Sequence, residues 1–211
     1  MVTIGLAGTK VTCFRRGAYR RKKSQRGFTL VELLITIVVL AVLLTVAAPS
    51  FTEMLANNRM RSEVYALRGL LTEARSEALT ERSLVAVCAS SDGSTCTGNW
   101  NEGYIAFFDD NGDGDVDAGD RIVLSRTIEA PTITIGFSNA ADYALYNSRG
   151  NAQNNATAYN GTFTLCDESG EKRAAGLVVS PVGSVSAAVD TDDDDIPNDP
   201  NNNGGDNLAC D

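Results

Sequence analysis

The chain has 211 residues with 27 Asp and Glu, 18 Lys and Arg and no His, which gives a formal charge of −9 at pH 7. This acidic balance argues against nucleic-acid binding, because such surfaces use Lys and Arg to release counterions. The lack of His, and of a Ser in a nucleophile elbow, removes common catalytic groups, so we expect a protein that is not an enzyme.

A basic leader opens the chain, and an apolar run follows it. Residues 1–27 hold eight Lys and Arg and no acid, whereas residues 30–48 are apolar or Thr with Glu32 as the only charge. A helix of about 20 such residues crosses a hydrocarbon core of about 30 Å. The positive-inside tendency keeps the amino terminus in the cytoplasm and places the chain after residue 49 outside. The sequence therefore predicts one membrane-spanning helix.

Three interpretations of this segment compete. A plain signal anchor and a secretory signal peptide cut near residues 46–48 both leave Glu32 unexplained, since a charge there hinders insertion. The apolar run also exceeds the ~7–15 residues of a secretory h-region. The third interpretation explains Glu32 and rests on the motif that contains it.

Residues 26–34, Arg-Gly-Phe-Thr-Leu-Val-Glu-Leu-Leu, resemble the cleavage site of type IV prepilins and type II secretion pseudopilins. The resemblance implies that prepilin peptidase cuts after Gly27, that Phe28 becomes the N-methylated first residue, and that Glu32 becomes the fifth. In that family the carboxylate pairs with the new ammonium group of a neighbouring subunit. An unpaired carboxylate in lipid is strongly unfavourable, so such a pair would set the register of assembly.

Cleavage would change both the charge and the cysteine count. Removing 27 of 211 residues leaves 184, in which ten Lys and Arg face 27 Asp and Glu, a formal charge of −17. Cys13 leaves with the leader, and four cysteines allow three pairings in an oxidising compartment. Closeness in sequence favours Cys88 with Cys96 and Cys166 with Cys210. The alternative is that one pair stays reduced and buried.

An amphipathic pattern continues the helix beyond the apolar run. Apolar residues recur at steps of four and three, the spacing of one helical face. We expect this stripe to pack on a sheet, and the opposite face, which carries Glu63, Arg68, Arg75, Glu77 and Arg82, to be solvated. The stripe consists of Met60, Val64, Leu67, Leu71, Ala74 and Ala78.

From residue 84 the composition changes to β-branched and aromatic residues separated by Gly, Asn and Asp, which predicts an antiparallel sheet. The chain therefore divides into a leader at 1–27, a transmembrane helix at 28–49, the amphipathic half of that helix at 50–83, a β-rich domain at 84–189 and an acidic tail at 190–211. The predicted strands are 84–89, 104–108, 122–128, 132–137, 162–166, 177–180 and 185–189.

Three stretches of the β-rich part resemble the GspH/FimT group of minor pilins and pseudopilins. The first is residues 100–109, Trp-Asn-Glu-Gly-Tyr-Ile-Ala-Phe-Phe-Asp, followed by an Asp/Gly loop. Residues 161–167 and 175–183 resemble the final strands of that group. The resemblance spans most of the mature chain and implies an α+β fold of the type IV pilin kind, in which a long N-terminal helix packs on a C-terminal antiparallel β-sheet domain.

Two acidic segments raise the question of calcium. Asp109, Asn111, Asp113 and Asp115 follow the spacing of a calcium loop, with Asp120 at the place of the bidentate Glu. The alternative is a hairpin loop in which Asp, Asn and Gly form Asx turns for conformational reasons. Residues 190–206 also hold many Asp, and they read either as a calcium site or, more readily, as a solvated and mostly disordered tail.

DNA binding is a competing function, because some FimT-like proteins are DNA receptors and carry Gly-Arg-x-Arg near the carboxyl end. This chain has Gly183-Ser184-Val185-Ser186 there, so both arginines are missing. We expect no nucleic-acid partner. A calcium-binding filament adhesin is a third possibility.

The function that the resemblance implies is that of a filament subunit. It would be inserted in the inner membrane with its β-rich domain in the periplasm, processed by prepilin peptidase, and assembled with other pilins through an inner-membrane assembly platform. The product would be a type II secretion pseudopilus or a type IV pilus, with this chain as a tip or initiating component.

Overall fold

The computed structural model describes residues 27–96, 98–128, 132–138, 141–154, 157–158, 161–200 and 206–210. The predicted leader lies outside these residues except for Gly27. The described residues divide into two units, one ending at Ala47 and the other beginning at Ala48.

A long α-helix, α1, spans Leu30–Glu81. Leu, Ala, Glu and Arg, which favour helices, make up much of its length. The helix ends where Arg82 adopts a positive φ of 54°, the left-handed conformation that often closes helices. The long helix predicted from the sequence is thus present.

The amphipathic stripe of α1 is buried within the second unit, as predicted. Met60, Leu67, Leu71, Ala74 and Ala78 are all buried in one apolar core. Val64 is partly buried and packs against the same core. This half of α1 therefore contributes one face of the core.

Within the described residues the strands form two antiparallel sheets rather than one. The first sheet has the order β3-β2-β1-β5-β6-β7, and the second has the order β10-β9-β8-β4. The strands are β1 Val85–Ala89, β2 Gly103–Phe108, β3 Ile122–Thr127, β4 Thr134–Phe137, β5 Tyr143–Tyr146, β6 Ala152–Asn154, β7 Thr157–Ala158, β8 Gly161–Cys166, β9 Ala175–Val179 and β10 Val185–Ala187.

Each of the seven predicted strands overlaps an observed one, but β5, β6, β7 and a 3-10 helix at Gly170–Arg173 were not predicted. The missed strands are short and lie in a region rich in Asn, which favours loops by composition. β5 depends on its neighbour, because it pairs with β1 along the register Val85–Tyr146 to Cys88–Tyr143.

Both sheets share the core under α1. β1 is buried on both faces: Val85 and Val87 join the main core, while Ala86 and Cys88 join a second cluster with Phe107. Strands covered on both sides read as continuous apolar runs, which explains the sequence of β1. The main core includes Leu67 and Leu71 from α1, Val87 and Tyr104 from the first sheet, and Phe163 and Leu177 from the second.

A partly buried ion pair joins α1 to the first sheet. Glu63 is only 8% exposed, and its carboxylate accepts hydrogen bonds from Arg126 Nε at 3.1 Å, Arg126 Nη2 at 2.6 Å and Tyr104 Oη at 2.9 Å. Burial, followed by the charge of Glu63, raises the pKa of Tyr104. The expectation that Glu63 lies on a solvated face is therefore wrong.

Arg75 also departs from the predicted solvated face. Its Nε donates to Gly150 O at 2.8 Å and its Nη2 to Val182 O at 2.9 Å. These carbonyls lie in two separate turns, so one guanidinium fastens both turns to α1. An arginine suits this task because its donors form a rigid fork.

The described residues contain two disulfides, Cys88–Cys96 and Cys166–Cys210, with Cα–Cα distances of 5.6 Å and 5.9 Å. They join the pairs that closeness in sequence favoured. Chain entropy assigns the longer loop about 4 kcal/mol and the shorter one about 2.5 kcal/mol. The second disulfide therefore contributes more, and it holds the carboxyl-terminal segment.

The carboxyl-terminal segment packs on the second sheet. Leu208 is buried against Cys166 and Ala174, and Asn198 forms a β-bridge with Asn207. Gly176 makes room for it, because a Cβ there would lie 2.8 Å from Leu208 Cδ1. The prediction of a mostly disordered tail is wrong for residues 190–200 and 206–210, since one apolar side chain and a disulfide order this acidic stretch.

Arg126→Ala is expected to lower the free energy of unfolding by about 2 kcal/mol, because it leaves the buried Glu63 carboxylate without its cation. Guanidinium unfolding of the full chain in detergent, followed by near-ultraviolet circular dichroism, measures the change. Arg68→Ala, on an exposed position of α1, is the matched control and should change stability by less than about 0.5 kcal/mol. Equal losses in both variants would contradict the role of the ion pair.

Candidate functional site

The predicted processing and assembly residues lie at the start of α1. Gly27, Phe28 and Thr29 precede the helix, and Glu32 is in its first turn. Leu33 N donates to Thr29 O at 3.1 Å, and Glu32 N donates to Thr29 Oγ1 at 3.2 Å. Thr29 is therefore the N-cap, and Thr29 and Glu32 have the spacing of a capping box.

The position of Glu32 is favourable for a carboxylate even before any partner is considered. A negative charge in the first helical turn interacts well with the unpaired backbone N–H groups and the helix dipole. Glu32 forms no ion pair within the part of the chain that the structure describes. Glu32 lies four residues after Phe28 in sequence.

The apolar half of α1 is uncovered. Leu30, Leu33, Leu40 and Leu44 are each more than half exposed, and this stretch is long and apolar enough to cross a membrane. The hydroxyl of Thr36 donates to Leu33 O at 2.8 Å, and that of Thr45 donates to Val42 O at 2.7 Å. Apart from Glu32, the described side chains of this stretch present an apolar surface that needs lipid or other apolar helices around it.

The first acidic loop connects β2 to β3. Asp109 is fully buried, and its two carboxylate oxygens accept from Gly112 N at 2.6 Å and Gly114 N at 2.9 Å. Burial raises the pKa of Asp109 above its ordinary value, although these N–H donors oppose the shift. Asp109 therefore acts in this structure as the organiser of the loop backbone.

The other predicted ligands of this loop are mostly exposed. Asn111 Nδ2 donates to Asp113 Oδ2 at 2.8 Å and to Asp117 Oδ2 at 2.9 Å, and Asp117 N donates to Asp120 Oδ2 at 2.9 Å. These are Asx-type contacts that also suit a hairpin loop. No three carboxylates of this loop converge within the described residues in the way that a compact cation site requires.

A different set of carboxylates does converge. Oxygens of Asp190, Asp192 and Asp194 all lie within 4.8 Å of one another. Asp190 Oδ1 also accepts from Asp193 N at 2.9 Å, and Asp194 Oδ2 accepts from Asn207 Nδ2 at 2.6 Å. This group belongs to the segment that the second disulfide holds on the sheet.

The turn that replaces Gly-Arg-x-Arg carries no basic side chain of its own. Gly183 has a positive φ of 77° and its N donates to Ser180 O at 2.8 Å, while the hydroxyls of Ser180 and Ser184 lie 2.7 Å apart. The nearby Arg75 donates to backbone carbonyls. The described turn therefore presents hydroxyl groups where the DNA-receptor pattern has guanidinium groups.

The sequence pattern also missed residues that organise the domain. Trp100 Nε1 donates to Asp142 Oδ1 at 2.8 Å, and its ring meets that of Phe163 at 4.9 Å. Asp142 has a positive φ of 57°. The one local signal for Asp142 is its position just before a short apolar run. Its partner Trp100 lies 42 positions away in sequence.

The fold and the N-terminal segment define the class of the protein: a membrane-anchored α+β subunit of the type IV pilin kind. A family profile described as "Type II transport protein GspH" matches residues 63–183, and one described as "Prokaryotic N-terminal methylation motif" matches residues 22–48. The chain belongs to the GspH family. The resemblance to minor pilins and pseudopilins is confirmed, and this family is a class of structural subunits.

Solved structures of similar fold include two crystal forms of the type IV minor pilin FimU of Pseudomonas aeruginosa. The first has 23% identity and a TM-score of 0.46 over 64% of this chain and 90% of that chain. The second has 21% identity and a TM-score of 0.45 over 61% and 92%. The minor pseudopilin EpsH from the Type 2 Secretion System of Vibrio cholerae has 10% identity and a TM-score of 0.42 over 60% and 94%.

Calcium binding stays a prediction that calorimetry can test. If the β2–β3 loop binds calcium, titration of the full chain in detergent should give heat at or below about millimolar calcium, the range of weak extracellular sites. Asp113→Ala with Asp115→Ala should abolish that heat, whereas the matched pair Glu73→Ala with Glu81→Ala, on exposed positions of α1, should leave it unchanged. No heat in the unaltered chain would exclude the site.

Proposed function

We propose that this chain is a minor pilin or pseudopilin subunit that is cut after Gly27, N-methylated at Phe28 and assembled through α1 into a filament or its initiating tip. The observation that carries the proposal is the placement of Glu32 in the first turn of an uncovered apolar helix, four residues after Phe28. A charge there needs a partner, and the processed amino group supplies one.

The proposed location follows from the same segment. The eight positive charges of residues 1–27 favour an amino terminus in the cytoplasm. The β-rich domain would then lie in the periplasm, where the two disulfides can form. The partners would be prepilin peptidase, the other pilins or pseudopilins of the filament, and an inner-membrane assembly platform.

Two other functions are less well supported. A DNA receptor needs cations that release counterions, but Ser184 and Ser186 replace the two arginines and Arg75 is bound to carbonyls. A calcium-binding adhesin would need a loop whose ligands face the ion, and Asp109 binds backbone N–H groups instead. Assembly is therefore the function that we favour.

The two filament types are separated by where the processed chain is found. Surface filaments sheared from the native organism are analysed by mass spectrometry for a chain that begins at Phe28. Its presence in these filaments would identify a type IV minor pilin. Recovery of the processed chain only in the inner-membrane fraction would identify a secretion pseudopilin, and a chain that keeps its leader in both fractions would contradict the proposal.

Glu32→Ala is expected to reduce incorporation of the processed chain about tenfold, because the neighbouring ammonium group loses its counter-charge in a medium of low polarity. Incorporation is measured as the fraction of processed chain that co-purifies with other subunits. Glu53→Ala removes an exposed carboxylate from the same helix and should have little effect. Equal incorporation of the Glu32 variant and the unaltered chain would argue against the interlock.

A further inference from the structure

One edge strand of the first sheet is long and has no neighbour on its outer side. Within the described residues β3 pairs with β2 alone, and it has six residues. The other edge strands of the two sheets are shorter: β7 has two residues, β10 has three and β4 has four. Short edge strands are one means by which proteins prevent their sheets from pairing with other chains. β3 lacks this protection.

The register of β3 shows which of its backbone groups are unused. Ile128 N donates to Glu102 O at 2.8 Å, just beyond the register pair Gly103–Thr127. Because hydrogen-bonded residues alternate along an antiparallel strand, the N–H and C=O groups of Ser125 and Thr127 point away from β2. Both residues are exposed. Four backbone groups are therefore available to an extended segment that lies beside β3.

The next longest edge strand, β4, is closed by a side chain. Ser138 N donates to Thr162 O at 3.0 Å, so the N–H of Ile135 points away from β8. Asn101 Oδ1 accepts from that N–H at 2.6 Å. Within the described ranges no side chain does the same for the unused groups of β3. β3 thus differs from β4 in leaving its outer donors and acceptors open.

The side chains of β3 also permit pairing. The strand reads Ile-Val-Leu-Ser-Arg-Thr, which contains no Pro and is rich in β-branched residues. A charge turned inward from an edge strand usually discourages an added strand. Arg126 is such a charge, but Glu63 already pairs with it at 2.6 Å. An added strand would therefore cover a neutral pair rather than a lone cation.

The charges beside β3 indicate the chemistry of the partner. The β2–β3 loop leads into β3 and presents four exposed carboxylates, those of Asp110, Asp113, Asp115 and Asp117. A segment with a Lys or Arg next to this loop is attracted to it. A second copy of the chain is repelled, because ten Lys and Arg face 27 Asp and Glu in it after cleavage. The fitting partner is therefore a different chain with a basic residue.

We propose that β3 is the docking edge for an extended segment of a different filament subunit, which adds to the first sheet and places a Lys or Arg beside the β2–β3 loop. The inference rests on the proposed function, since a filament supplies such neighbours. Backbone hydrogen bonds give such a contact its affinity, and the basic residue fixes its orientation. The contact belongs to the folded domain and is separate from the interlock at Glu32.

The first test blocks the outer side of β3 with proline. Ser125→Pro removes an unused N–H group and no bond to β2, because proline is tolerated where the N–H of an edge strand faces outward. Co-purification with other subunits should fall about tenfold, as expected when at least one backbone hydrogen bond is lost and the approach is obstructed. Ala187→Pro makes the same change at an exposed outer position of β10 and should leave co-purification unchanged. Normal co-purification of Ser125→Pro, or equal losses in both variants, would overturn the proposal.

The second test identifies the partner without altering the backbone, so it decides the matter if limited proteolysis shows that Ser125→Pro is misfolded. A photo-crosslinking amino acid replaces the exposed Thr127, and cells are irradiated before the membranes are isolated. An adduct within an extended segment of another filament subunit supports the proposal. The same amino acid at the exposed Ser186 of β10 is the control and should not react with that segment. An adduct of the Thr127 variant with a second copy or with lipid alone, or none at all, would overturn the proposal.

The third test concerns the charge of the partner. Membranes are solubilised with a chelator, so that calcium has no part in the result. Asp113→Asn with Asp115→Asn should lower co-purification about threefold, because two exposed carboxylates beside β3 lose their charge. Asp192→Asn with Asp194→Asn removes the same charge from the carboxyl-terminal segment and should have no effect. Equal co-purification of the two double variants would overturn the proposal.

The failure of this inference differs from the failure of the proposed function. If the processed chain begins at Phe28 and co-purifies with other subunits, but the Thr127 variant forms no adduct with them, only the docking at β3 is wrong. If the chain begins at Phe28 in no fraction and co-purifies with no other subunit, the proposed function is wrong and this inference falls with it.

Discussion

The domain depends on one stripe of α1 that two sheets bury together. Leu67, Leu71, Ala74 and Ala78 are fully buried, and residues of both sheets pack on them in one core. Apolar burial of this kind is favourable but has no direction. The pairing of Glu63 with Arg126 and Tyr104 fixes the rotation of the helix on the sheets. Arg126 and Tyr104 reach both carboxylate oxygens of Glu63 only when the helix has the observed rotation.

The two acidic segments are each attached by one apolar side chain, on different sheets. Val116 of the β2–β3 loop is partly buried against the cluster that contains Cys88, and Leu208 is buried with Cys166. The carboxyl-terminal segment is also joined to β8 by the Cys166–Cys210 disulfide, whereas Cys88 and Cys96 both lie outside the β2–β3 loop. Charged loops tend to leave the surface of a protein because their carboxylates repel each other and are well solvated. The partly buried Val116 offsets that tendency in the β2–β3 loop, and the buried Leu208 together with a disulfide offsets it in the carboxyl-terminal segment.

The local features of the fold could be predicted from the sequence, whereas contacts between residues distant in sequence could not. The period of three and four residues revealed α1, and alternation with turn residues revealed β1, β2 and β8, because these signals lie within a few residues of one another. Glu63 looked like a solvated residue, since Arg126 lies 63 positions away. β5 was missed for the same reason, because its stability comes from pairing with the distant β1.

For the candidate site, the motif around Gly27, Phe28 and Glu32 could be identified from the sequence, because its residues are adjacent and each has its own chemical reason to be there. The contact between Trp100 and Asp142 could not be predicted, because the two residues lie 42 positions apart in sequence. The Asp109 loop was ambiguous because calcium ligation and turn formation demand the same residues.

The internal hydrogen bonds of Thr36 and Thr45 have a consequence for the assembly that we propose, in which α1 would leave lipid for contact with other apolar helices. With those hydroxyls satisfied, the exposed surface of this half is nearly a hydrocarbon, and lipid tails and the side chains of another apolar helix are equivalent solvents for it. Replacing lipid tails by the side chains of another helix therefore changes the free energy of this apolar surface little. The direction of transfer is then governed by the ends of the helix, where charge is paired or unpaired, rather than by its length.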